Sequence, residues 1–112
     1  MGDMIELGNE EKEEHEKLAD IISLMKLNKI ILVGPRLLKY AKPKIKIAES
    51  FIMPKDALDY LQKNLKGGKV VLFKGARFLE GIIEHLLADK NDAKKLVRRE
   101  KVWQERRKKW GL

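Results

Sequence analysis

The residues best suited to chemistry fall at the ends of short apolar runs. They are Asp3, Gly34 with Arg36, Glu49 with Ser50, and Lys74-Gly75 with Arg77. Lys74 and Arg77 bring two cations to one turn. The glycines allow a ligand close to the backbone, and the helix starts that follow offer free amides to an anion. Together they predict a site for a carboxylate or a phosphate. The plainer reading is ordinary turn chemistry, with Asp3 as a cap and the two cations in surface ion pairs. His15 shares a helical stripe with Leu18 and Ile22, which predicts a structural histidine bonded to backbone. A catalytic-base role would need a paired carboxylate or nucleophile that the sequence does not supply. His85 lies on a helix flank facing solvent. Two histidines 70 positions apart make no metal motif, and the absence of cysteine excludes disulfides and thiolate sites. No Gly-x-x-x-x-Gly-Lys-Ser/Thr loop occurs, so the chain has no phosphate cradle of that kind.

These residues need a scaffold, and the apolar pattern describes one. A helix is predicted over 9–26, capped by Asn9, with Leu18, Ile21, Ile22 and Met25 inward. Lys29–Val33 is an unbroken apolar strand, as in a parallel sheet covered on both faces. Pro35 opens a helix to residue 41. Ile45–Phe51 alternates like an edge strand. Pro54 opens a helix to Lys66, which Gly67-Gly68 ends. Lys69–Lys74 is the strongest predicted strand, and a helix follows over 78–88. The alternation predicts an α/β, Rossmann-like, three-layer domain with a small, mainly parallel sheet of about three strands. A first strand is expected to be either truncated to a stub or supplied by preceding sequence. That would leave the next strand with a free edge and a tendency to form homodimers. Strand ends in such sheets converge on one ligand-binding edge.

The length of 112 residues suits a single domain, with a core over 2–90 and a basic helix over 93–110. The charge is uneven. Lys94, Lys95, Arg98, Arg99, Lys101, Arg106, Arg107, Lys108 and Lys109 face only Glu100 and Glu105, so this segment holds +7 of the formal +8. Leu96, Trp103 and Trp110 recur every seven residues, which predicts an amphipathic helix packed through its tryptophans with its cations outward. Nucleic-acid binding, or contact with an anionic membrane surface, is the sharper but less favoured alternative. No apolar run approaches a membrane span, and the acidic start is not that of a signal peptide, so a cytoplasmic setting is expected.

One resemblance draws these pieces together. Gly2-Asp3-Met4-Ile5-Glu6-Leu7-Gly8, with His15 beyond it, is similar to the GDMLELG…H stretch of UDP-N-acetylmuramoyl-tripeptide–D-alanyl-D-alanine ligases. Val33-Gly34 matches the VG that follows in that family, and Val70–Arg77 resembles its VLVKGSR. The likeness runs through residues 2–88 in order. It implies the C-terminal domain of a peptidoglycan Mur ligase, a Rossmann-like unit that helps to bind D-alanyl-D-alanine and closes over ATP held by a central domain. The full-length enzyme uses ATP and magnesium to activate a UDP-muramoyl peptide carboxylate as an acyl phosphate. The resemblance implies substrate-binding roles for Asp3, Lys74, Gly75 and Arg77, with Gly34, Arg36 and His15 as secondary candidates. It places no catalytic residue, metal or cofactor in this chain, and it implies N-terminal and central ligase domains as partners. Ala76 stands where the family usually has serine. This chain alone is expected not to catalyse ligation.

Overall fold

The structure is a computed structural model that describes residues 1–75 and 77–112. Its centre is a two-stranded parallel sheet of β1 (Ile31–Val33) and β2 (Glu49–Phe51), in register Ile31 to Glu49 and Val33 to Phe51. Successive side chains of a strand point to opposite faces, and here both faces are covered. Leu32 joins a cluster with Ala19, Ile22, Ile30, Leu37, Ala41, Ile45 and Ala48. Val33 joins a second cluster with Ala57, Leu58, Leu61, Leu79 and Ile82. This burial on both sides is why the apolar run shows no alternation.

The free edge of β1 is taken by the chain's own first residues. Met1 N donates to Ile31 O at 2.6 Å, Val33 N to Met1 O at 2.8 Å and Asp3 N to Val33 O at 3.2 Å. Gly2 thus forms an isolated parallel bridge with Val33, the expected stub. The third expected strand, Lys69–Lys74, does not form. Lys74 O accepts from Gly2 N at 2.9 Å, but Val70 and Leu72 are 101% and 81% exposed. Strong β propensity needs a neighbour to pair with. The neighbour here is the Met1–Asp3 stub, which reaches only Lys74.

Helix α1 (Glu11–Leu24) follows a 3-10 turn, Gly8–Glu10, and carries Glu11, Glu13 and Glu14 at its positive end. Asn9 lies inside the turn and does not cap. The buried face is His15, Ala19 and Ile22, while Ile21 and Met25 are more than half exposed. The expected stripe is therefore rotated, because small Ala19 and hydrogen-bonded His15 face the interior. Pro35 begins a helical turn that continues as a π-helical segment, Leu37–Ala41, against which α1 packs. The strand expected from Ile45 is shorter. Ile45 N bonds back to Ala41 O at 3.2 Å and Ala48 N to Ile45 O at 3.1 Å, so buried Ile45 and Ala48 sit one turn apart.

Helix α2 (Pro54–Asn64) begins on its proline and buries Ala57, Leu58 and Leu61. The left-handed glycine is Gly68, beyond the helix end. Helix α3 (Leu79–Leu86) packs against α2. The single long tail helix is not formed. A 3-10 segment, Lys90–Lys95, is capped by Asp89, which accepts from Asn91 N at 2.9 Å. Helix α4 begins only at Lys101 and ends at Lys109. Between them Arg98 is left-handed, at φ 57°. Arg99 makes a bidentate pair with Glu84 on α3, at 2.7 and 3.0 Å. These ties to α3 break the helix, so Leu96 does not share a helical stripe with Trp103 and Trp110. Trp110 packs edge-on against Phe78 at 5.6 Å, as the packed-tail reading expects. No helix among the described residues is long and apolar enough to cross a membrane.

Candidate functional site

The two stretches that drew attention in the sequence meet at a cleft. Its lining is Met1, Gly2, Asp3, Met4, Ile5, Leu18, Lys74 and Gly75. Gly75 is left-handed, at φ 152°, and a Cβ there would lie 2.9 Å from Gly2 N. Glycine is needed because the first segment runs directly over it.

Asp3 is 6% exposed and fully used. Its Oδ1 accepts from Leu37 N at 2.9 Å and its Oδ2 from Arg36 N at 3.1 Å. This is N-cap chemistry supplied from 33 residues away. Gly34, which precedes the helical turn, has no side chain of its own to cap with. Arg36 lies 3.6 Å from Asp3 and also pairs with Glu11 at the start of α1. Its hydrogen bond to Glu11, with the Asp3 charge nearby, raises the guanidinium pKa above its ordinary value. The Asp3–Arg36–Glu11 cluster ties the stub, the turn after β1 and α1 together.

His15 is wholly buried. Met4 N donates to its Nε2 at 3.3 Å, and its Nδ1 lies 2.6 Å from Glu11 O. That pairing requires the neutral tautomer with its proton on Nδ1. The ring thus fastens Met4, in the cleft wall, onto α1. This is the structural, backbone-bonded histidine that the stripe predicts. Asp3, Gly34, Arg36 and His15 therefore hold the cleft wall together.

Lys74 and Arg77 are differently placed. Lys74 is exposed on the cleft lining and has no ion pair among the described residues. Arg77 reaches back to Glu6 across 71 residues. The alanine at position 76, expected to lack a hydroxyl contact, lies outside the described residues.

Two carboxylates to which the sequence assigns no site role matter here. Glu6 is the partner of Arg77. Glu80, 4% exposed, lies beneath the tail with Oε2 3.8 Å from Arg98 and no hydrogen-bond partner for Oε1 among the described residues. Neither carries a sequence signal beyond charge, since both need a contact distant in the chain.

The basic segment is partly consumed by its own fold. Arg107 is buried and donates to Arg98 O at 2.9 Å, its stem lying over Gly81. Arg98 and Arg106 both stack on Trp103, at 5.3 and 4.6 Å. Among the described residues, no three His, Asp or Glu side chains are grouped to hold a metal ion. No protein-family model, curated protein or solved structure matches the chain significantly.

Proposed function

We propose that the chain is the C-terminal, substrate-closing domain of an ATP-dependent cell-wall ligase that adds D-alanyl-D-alanine to a UDP-N-acetylmuramoyl peptide. What supports the reading is one relationship. Gly2–Ile5 and Lys74–Gly75, parts of the two stretches that resemble this family, line one cleft and are joined by the 2.9 Å bond from Gly2 N to Lys74 O. A zwitterionic dipeptide presents a carboxylate, and Lys74 and Arg77 are the cations beside that cleft. ATP and magnesium belong, on this reading, to the central domain. The reading carries with it a Rossmann-like ancestry, a cytoplasmic setting and the two remaining ligase domains as partners.

Titration of the 15N-labelled chain with D-alanyl-D-alanine tests it, with L-alanyl-L-alanine as control. Amide shifts at Gly2, Gly75 and Arg77 at millimolar dipeptide are expected. Shifts confined to other surfaces would count against it. The chain alone, given ATP, magnesium, muramoyl tripeptide and dipeptide, should release no phosphate. A polyanion-binding role for the tail is the weaker reading, because Arg98, Arg99, Arg106 and Arg107 are already engaged within the domain.

A further inference from the structure

We infer that Glu6 is a built-in competitor for Arg77, holding an anion subsite closed until the carboxylate or phosphate of a ligand takes its place. The inference rests on the reading of the cleft as a substrate site and concerns its regulation. Glu6 directly follows one cleft wall, Met1–Ile5, and Arg77 comes two residues after the other, Lys74–Gly75. Their side chains join across the rim. Both residues are left-handed, with φ 64° at Glu6 and 75° at Arg77, although neither is glycine. Non-glycine residues hold that conformation only where their surroundings impose it, and such strain gathers at ligand clamps and switches.

The pair is nevertheless open to water, with Glu6 78% and Arg77 40% exposed as side chains. An exposed ion pair contributes little and exchanges partners readily. A carboxylate already on Arg77 has the same chemistry as the anion that the cleft would receive. Lys74 is exposed on the cleft lining and has no ion pair among the described residues, so it is left to attract an incoming anion while Glu6 is paired with Arg77.

The test compares wild type, Glu6→Gln, Glu6→Asp and Arg77→Gln by NMR titration with acetate, inorganic phosphate and D-alanyl-D-alanine, following the Lys74 and Gly75 backbone amides in all four and the Arg77 Nε–H resonance in the three that keep the arginine. Both Glu6 variants should bind at least one anion about two- to fivefold more tightly than wild type, the range of an exposed ion pair, and Arg77→Gln should lose the effect. Glu6→Asp guards against a simple loss of charge, because it keeps the carboxylate but shortens its reach. The acetate and phosphate arms tell which anion the subsite prefers. Weaker or equal binding by the Glu6 variants, with wild type binding normally, would show a structural clasp and overturn the competitor while leaving the site reading intact. No binding by any variant would overturn both.

Discussion

The carboxylate of Asp3 occupies the space where a side chain at Gly34 would begin: a Cβ at position 34 would lie 2.4 Å from Asp3 Cγ. The two residues solve one problem. The helical turn after β1 needs its first amides satisfied, Gly34 cannot do it, and Asp3 can reach only because Gly34 is bare. Gly34 is also left-handed, at φ 123°.

Replacing either partner should therefore destabilise the same turn. Gly34→Ala adds the clash to an unfavourable backbone and should lose about 2 kcal/mol or more. Asp3→Ala should lose about 1–2 kcal/mol, whereas Asp3→Asn, which keeps one acceptor oxygen, should lose less. Urea unfolding measures all three, and hydrogen exchange should show the Arg36 and Leu37 amides freed in Asp3→Ala. Unchanged protection of those amides would refute the capping role.

His15 anchors Met4 through a half-buried bond. His15→Phe keeps most of the volume but leaves the Met4 amide without its acceptor, at a cost of about 1–3 kcal/mol. Amide exchange at Met4 should accelerate more than exchange in the C-terminal half of α1. A uniform loss across α1 would mean that the ring acts only by filling space.

The tail should be released by acid. The Arg99 hydrogen bonds and charge hold the Glu84 carboxyl below its ordinary pKa. A carboxyl with a depressed folded pKa contributes stability that is fully present above its unfolded value, about 4.3. That contribution is lost as pH falls through the lower folded value. Both side chains are about a third exposed, so the contribution should be on the order of 1 kcal/mol or less. Glu84→Gln should flatten this part of the stability curve below about pH 4 and leave Arg99 more exposed at neutral pH. Identical acid curves for the two proteins would refute the assignment.

Gly81 lies where the tail crosses α3. A Cβ there would sit 2.8 Å from Arg107 Cδ and 2.9 Å from Leu112 Cδ1. Gly81→Ala should favour the helix by up to about 1 kcal/mol while pushing α4 off α3. The discriminating measurement is Trp110 fluorescence, which should shift to the red as its contact with Phe78 loosens. An unshifted spectrum would mean that the Arg107 stem simply moves aside.

Much of the scaffold was legible residue by residue. Ile31–Val33 shows two-sided burial because each of its side chains is apolar. Pro54 marks a helix start because its ring favours the first turn. His15 reads as a backbone-bonded core residue from its place on the α1 stripe. The failures have physical causes. Lys69–Lys74 has every local sign of a strand, yet strand formation depends on a partner whose length local sequence does not express. Leu96, Trp103 and Trp110 have heptad spacing, but Glu80 and Glu84 draw Arg98 and Arg99 onto α3 and interrupt the helix. Ile45 and Ile47 alternate, yet a turn buries Ile45 and leaves Ile47 71% exposed.

The sequence by itself determined the strand at Ile31–Val33 with its two-sided burial and the presence of α1, α2 and α3, because propensity, proline, glycine and apolar period act over a few residues. It also named the residues that surround the cleft. Only the tertiary structure decided what each of them does there, since that depends on partners as far as 71 positions away. Asp3 spends both carboxylate oxygens on the turn after Gly34, His15 spends both nitrogens on backbone, and Lys74 and Arg77 remain at the rim. Chain contacts that distant are set by how layers stack, and no local pattern encodes them.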